Sequence, residues 1–476
     1  MRRAIATTEN APWAAGGAAL AAASGALAVL APGALIVTAL AALGAAAVIA
    51  FPFEALIGLL VLEAAMPSSV ILSLFTLAGG GLALLLAAPR LPARRATLPM
   101  LGFLIVALPA LQLAPTLDEG PKPDGLYLPM VGVRYLPMPS DELLGWLRLA
   151  AVLALLALAA WTVRDRRRLD IAVNALLASA VVPILVALHQ LATGQLSTRA
   201  GFSAVKGPFT HPNYFGYFLM VVLILAVVVF LERPTLATRV PLGLLIAAGG
   251  VCLVSTYTRG AWVGFAASLL VLGVLRYPRL FVIGAVGLLV SVFAFPGTVD
   301  KVTARFGDLT SQNESASSNS WTWRTGQWGR MVHYGSDHPL SGEGFGTYPR
   351  LTVEEFGTSD RTYPTIAAQS EVTRAHRGFT AHNDYVRSFV ELGVPGLVLW
   401  VGFLGGMLAA GIAAWQRPQV RDIATASIAV SAGLIGVSAA DNLMGYAVVL
   451  GFAVVLCGAV AGAAFGAGRA CTTQAE

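Results

Sequence analysis

The sequence predicts an all-α polytopic membrane protein. Of its 476 residues, 57% are hydrophobic and only 12% charged, where a soluble domain carries about 25% charged residues. Mean hydropathy is +0.73. Long apolar runs alternate with short clusters of arginine. A soluble fold of this composition would expose far too much apolar surface.

A spanning helix needs roughly 20 mostly apolar residues. Such runs lie at 12–30, 34–51, 53–66, 70–88, 97–114, 143–163, 170–190, 213–231, 240–257, 261–275, 280–296, 394–415, 423–441 and 445–467. The third is short, and only residues 257–260 separate the pair around 240–275. The expected count is therefore about 12 to 14 spans. Arg2 and Arg3 precede the first run without a small-residue cleavage site, so that run is expected to stay as a membrane helix.

The basic clusters set the orientation. Arg2/Arg3, Arg90/Arg94/Arg95, Arg164/Arg166/Arg167/Arg168, Arg233/Arg239, Arg276/Arg279, Arg417/Arg421 and Arg469 all fall on one side of this alternation. Positive-inside bias makes that side the cytoplasm, with both termini there. The net charge of +6 thus reports orientation, and nucleic acid is not an expected partner. Cys252, Cys457 and Cys471 have neither metal spacing nor a disulfide framework.

Three longer segments face outward: 115–142, 191–212 and 297–393. The chain divides accordingly into N-terminal spans and first outer loop (1–142), core spans (143–296), a large outer loop (297–393) and C-terminal spans with a tail (394–476). In the large loop the composition changes to charges of both signs, Trp321, Trp323 and Trp328, and a Gly/Ser/Asn-rich patch at 307–320. So long a loop in a compact protein is functional or disordered, and its aromatics favour a folded one. Within it, 321–335 and 381–393 read as helices and 341–349 as a turn.

Ionisable residues in or beside spans are costly and are functional candidates by default. His382, followed by Asn383 and Asp384, begins a helix leading into the next span. A neutral imidazole there can act as general base toward a hydroxyl. The same cluster also reads as a helix start, with Asn383 or Asp384 as cap and His382 as a solvated neighbour. Arg259 lies between two apolar spans at the outer boundary, where positive-inside bias does not explain it. It suits bidentate phosphate recognition, or is a snorkelling helix-end arginine. Arg324, among tryptophans, can clamp a diphosphate or belong to an amphipathic surface helix. Gly342, Gly344 and Gly346 follow no strand, so they form a turn and not a nucleotide loop. Lys206 and Asn213 flank a Pro-Asn helix start that explains His211 and leaves Lys206 open. Arg148, one turn inside its span, can serve an outward-facing cavity.

Four stretches carry a resemblance: 207–219 (GPFTHPNYFGYFL), 255–265 (STYTRGAWVGF), 323–348 (WRTGQWGRMVHYGSDHPLSGEGFGTY) and 382–397 (HNDYVRSFVELGVPGL). In order and spacing they resemble the O-antigen ligase family, which includes O-antigen polymerases and bacterial O-oligosaccharyltransferases. The resemblance covers about 145–415. It implies a GT-C-like glycosyltransferase of the bacterial inner membrane with its site facing the periplasm. It also implies that His382 activates the acceptor hydroxyl and that Arg259 and Arg324 hold the diphosphate, without metal or cofactor. The implied partners are an undecaprenyl-diphosphate-linked glycan, lipid A–core or another glycan acceptor, and membrane lipid. The family often has Asn-Pro-Asn where this chain has His211-Pro212-Asn213, which leaves the role of His211 open.

On this reading, Lys206 and Arg148 add charge for the diphosphate, while Asn213, Asn383 and Asp384 support the site. The acceptor hydroxyl loses its proton to His382 and attacks the anomeric carbon with inversion. Ligase, polymerase and protein transferase share this donor half. A glycolipid transporter is the alternative of a different class, but it would place its polar residues near the midplane.

Overall fold

A computed structural model of the chain describes residues 50–65, 93–108, 141–199, 202–233, 235–294, 303, 321–356 and 380–466. The predicted spans at 12–30 and 70–88, all of the 34–51 span but its last two residues, the Gly/Ser/Asn-rich patch and Cys471 lie outside the described residues. So does most of the 115–142 segment.

The fold is mostly helical. In chain order the helices are α1 (Pro52–Ala65), α2 (Arg94–Ala107), α3 (Asp141–Thr162), α4 (Arg166–Ser179), α5 (Val181–Thr193), α6 (Pro212–Glu232), α7 (Leu236–Ser255), α8 (Arg259–Leu275), α9 (Arg279–Ala294), α10 (Trp321–Gly335), α11 (Tyr348–Phe356), α12 (Asp384–Trp415), α13 (Arg421–Ser438) and α14 (Ala447–Phe465). Among the described residues, seven segments are long and apolar enough to cross a membrane. They are Gly145–Thr162, Arg166–Thr193, Pro212–Glu232, Leu236–Ser255, Asp384–Trp415, Pro418–Ser438 and Ala447–Phe465, and Arg259–Leu275 is a shorter apolar helix.

The helices fall where the apolar runs predict them, with three additions. The run at 170–190 is two helices meeting at Ala180. Pro183, in the first turn of α5, has no N–H to continue the ladder from α4. The outer segment 191–212 contains a short antiparallel hairpin, β1 (Ser197–Arg199) with β2 (Phe202–Ala204), which an all-α reading passes over. The predicted turn at 341–349 ends in α11, a helix not foreseen.

Helix α6 is the centre of the bundle. Nearly every residue from Phe215 to Val229 is buried, because α7, α8 and α13 all pack on it. Helix α14 lies along α3, and α2 lies along α12. Helix α7 turns most of its surface outward, with Leu244, Val251 and Val254 exposed, as lipid contact requires.

The arginines between spans gather at one end. Arg166 pairs with Asp422 at 2.6 Å and with Asp170 at 3.2 Å, tying α4 to α13. Arg233 reaches Asp170 at 3.5 Å, and Arg276 bonds Glu232 at 3.0 Å. Arg417 lies over the Phe465 ring at the end of α14.

At the opposite end the loop after α10 is stitched onto a kink in α12. Gly393 has φ 66° and Pro395 follows, so the carbonyls of Val390 and Glu391 lose their helical donors. The loop supplies replacements: Glu343 N–H bonds Val390 O at 2.9 Å and Gly344 N–H bonds Glu391 O at 2.8 Å. In return, Val394 N–H donates to Pro339 O at 2.8 Å. Every buried backbone group freed by the kink must find such a partner. Gly342, φ 65°, sits so close to α12 that a Cβ would overlap the backbone of Glu391 and Leu392. The spaced glycines are thus a packing turn, as predicted.

Candidate active site

The site is built around a residue that the sequence reading passes over. Asp441 lies just past α13, 3% exposed, between two apolar helices. Its Oδ1 takes hydrogen bonds from Asn442 N–H at 2.9 Å and Tyr446 O–H at 2.8 Å, and lies 3.0 Å from His382 Nδ1. Its Oδ2 takes Asn213 Nδ2–H at 2.7 Å and Tyr217 O–H at 2.9 Å. Only an ionised carboxylate offers acceptor sites alone. Burial raises the Asp441 pKa, but the hydrogen bond from His382, the charge of Arg324 and the hydrogen bond from Asn442 N–H outweigh it and hold the carboxyl well below the usual range.

An ionised Asp441 fixes the tautomer of His382. Nδ1 carries the proton and donates to Oδ1, which leaves Nε2 with its lone pair. Nε2 lies 3.2 Å from the hydroxyl of Thr380, so this nitrogen already faces a hydroxyl group. Asn442 Nδ2, 3.1 Å from His382 Nδ1, has its own acceptor in Thr380 Oγ1 at 3.2 Å.

The backbone of His382 is held as firmly as its ring. Its φ of 48° is in the left-handed region, which costs a non-glycine residue about 1–2 kcal/mol. Its N–H donates to Asn442 Oδ1 at 2.9 Å. The preceding carbonyl, of Ala381, takes the Trp328 indole N–H at 2.6 Å. Asn383 then caps α12, accepting from Tyr385 and Val386 N–H. Tyr257, in the turn before Arg259, is the other non-glycine residue with positive φ among those described. Such outliers persist where surrounding structure over-determines them, often at functional sites.

The remaining candidates divide into those at Asp441 and those beside it. Asn213 is central, bonding Asp441 and accepting from Thr258 O–H at 3.3 Å. Arg324 Nη1 donates to Ala440 O at 3.0 Å, next to Asp441. Arg259 is the first residue of α8, preceded by Thr258 and followed by Gly260, where a Cβ would collide with the Tyr217 hydroxyl. Lys206 lies beside the same turn, because Val205 N–H bonds Ser255 O at 3.1 Å and Gln190 Oε1 holds the Lys206 and Gly207 amides. Arg148 lies within electrostatic reach of Tyr214, whose ring is 4.0 Å from that of Tyr446.

Asp384 is fully buried beneath the site, with Oδ2 taking Ser438 O–H at 3.0 Å and Met444 N–H at 3.2 Å. His211 caps α6, accepting Asn213 N–H on Nδ1 at 3.0 Å. Its position is therefore explained by presenting Asn213.

Asp441, Tyr217 and Tyr446 lay outside the sequence-based set. The predicted span 423–441 absorbed Asp441 as its last residue. The rule that singles out Arg259, an uncompensated charge between apolar spans, applies equally to Asp441.

Residues 242–401 match the family model described as O-antigen ligase. The match takes in Arg259, Arg324 and His382, and excludes Asn213 and Asp441. No curated protein matches the chain. The match takes in three of the four stretches that carry the resemblance, 255–265, 323–348 and 382–397, and leaves 207–219 outside it. The chain is a multi-pass membrane protein, and its residues 242–401 are similar to the O-antigen ligase family, which supports a ligase-type glycan transferase in general.

Proposed function

We propose that the protein transfers a glycan from undecaprenyl diphosphate to an acceptor hydroxyl at the periplasmic face of the inner membrane, with lipid A–core as acceptor. The observation that carries this reading is the Asp441–His382 pair, which leaves Nε2 as a proton acceptor, with Arg324 bonded to the carbonyl before Asp441 and Arg259 next to Thr258, which bonds the Asn213 that holds Asp441. The clustered arginines at the other end of the bundle favour a cytoplasmic assignment for that end.

In this mechanism the polyprenyl tail lies in lipid. The diphosphate rests against Arg259, Arg324 and the positive end of α8, with Lys206 and Arg148 adding charge. The acceptor hydroxyl takes the place of Thr380 at His382 Nε2, gives up its proton and attacks the anomeric carbon opposite the diphosphate. The configuration inverts. Asp441 stabilises the imidazolium that forms, and the arginines stabilise the charge developing on the leaving diphosphate. Polar groups gathered at one end, rather than at the midplane, favour transfer chemistry over transport.

The test is made in detergent with an undecaprenyl-diphosphate-linked oligosaccharide, with lipid A–core in one tube and no second acceptor in the other. The expected result is a shift of lipid A–core to higher mass. A ladder of longer lipid-linked glycans without lipid A–core would replace the ligase reading by a polymerase. No product in either tube would leave a protein acceptor or a transporter.

A further inference from the structure

Helix α10 carries a polar group that the mechanism does not use. Gln327 is 2% exposed, and neither Oε1 nor Nε2 has a hydrogen-bond partner among the described residues. A buried polar group without a partner costs about 1–3 kcal/mol. Leucine or methionine would fill the same space without that cost.

Its neighbours say where the amide lies. Residues 324, 327, 328 and 331 share one face of α10, by the 3.6-residue turn. Arg324 bonds the carbonyl before Asp441, and Trp328 bonds the carbonyl before His382. Met331 packs with Tyr348, Ala381 and Val390. Gln327 is thus in the layer of α10 that meets the site, one turn from Arg324. Side chains so spaced stand about 5–6 Å apart at Cβ, roughly the reach from a diphosphate to the ring of the sugar it carries. A second orphan borders this layer, the buried hydroxyl of Tyr348, which also lacks a partner.

The geometry points to Gln327 as a recognition residue for the first sugar of the lipid-linked donor. Its amide offers one acceptor and a donor pair, and the matching ligand group must both donate and accept. A ring hydroxyl does so, and so does an acetamido group. The inference rests on the donor assignment above. The amide is covered, 2% exposed, so neighbouring side chains must shift outward when the sugar enters. Water is excluded there, and the hydrogen bonds count more than they would at a surface.

The test compares wild type with Gln327→Met, a change that keeps volume and removes both polar atoms. Three ligands are titrated: undecaprenyl diphosphate without sugar, with one hexose and with one acetamido-hexose. Thermal unfolding is followed in parallel. Gln327→Met should bind the sugar-free lipid like wild type and a sugar-bearing lipid at least about tenfold more weakly, as loss of a buried hydrogen bond implies. Its unfolding temperature should be equal or higher. Which sugar-bearing lipid loses affinity identifies the group recognised. Equal affinities for all three would overturn the inference and make Gln327 a packing residue over a trapped water. An equal loss for the sugar-free lipid would make it a support for Arg324. Failure of wild type to bind any of the three would remove the donor assignment itself.

Discussion

Replacing Asp441 by asparagine tests the architecture of the site with the smallest change of shape. The carboxylate is met at Oδ1 by His382, Asn442 and Tyr446, and at Oδ2 by Asn213 and Tyr217. An amide has one oxygen. With that oxygen toward His382, its NH₂ group faces Asn213 Nδ2, donor against donor, and Tyr217 must turn from donor to acceptor. With the amide reversed, the NH₂ group faces His382 Nδ1 and favours the tautomer that protonates Nε2. Either way the negative charge opposite the imidazolium is gone. In Ser-His-Asp hydrolases the same change costs about 10⁴ in kcat. Here two other donors share Oδ1, so His382 receives part of its charge, and we expect a loss of about 10³, or ~4 kcal/mol of transition-state stabilisation. Mispaired donors should also lower stability by about 1–3 kcal/mol. The assay is the initial rate of glycan transfer across pH, with thermal unfolding of the same preparations. A folded Asp441→Asn protein with the wild-type rate and pH profile would refute the argument that Asp441 sets the tautomer.

Three further outcomes follow from the geometry. Arg324→Lys keeps the charge but loses the planar fork and the bond to Ala440 O, so donor affinity should fall about 10- to 100-fold in a binding titration; undiminished affinity would remove Arg324 from the diphosphate site. Gly393→Ala places a Cβ 2.5 Å from Pro339 O at a φ of 66°, and should destabilise by about 3 kcal/mol or more, read as a fall in unfolding temperature. Acid should destabilise the fold through Asp441, whose folded pKa lies below its unfolded value. That stabilisation is present above about pH 4, the unfolded aspartate pKa, and is lost as pH falls toward the folded one. The acid slope of unfolding temperature should therefore flatten in Asp441→Asn.

The membrane architecture is legible because lipid imposes one rule on every span, and the seven segments from Gly145–Thr162 to Ala447–Phe465 obey it in apolar length. The arginine clusters are legible for the same reason. His382, Arg259, Arg324 and Asn213 stand out as polar residues at apolar boundaries, and the fold brings His382, Arg324 and Asn213 to one carboxylate. What the sequence hides is pairing across great chain distance. Asp441 meets Asn213 and Tyr217 from more than two hundred residues away, and no periodicity encodes that contact. Gln327 is hidden too, because a glutamine on a helix beside charged residues reads as surface. The hairpin and α11 escape since each is too short to carry a pattern.

The central claim, that His382 removes the acceptor proton, is tested most directly by separating binding from transfer in His382→Ala. The purified variant is titrated with the undecaprenyl-diphosphate-linked glycan, then given lipid A–core under single-turnover conditions. The account predicts wild-type donor affinity with a transfer rate lower by about 10²–10⁴, the usual span for a general base. A variant that binds the donor and transfers it at the wild-type rate would contradict the account and place the proton acceptor elsewhere.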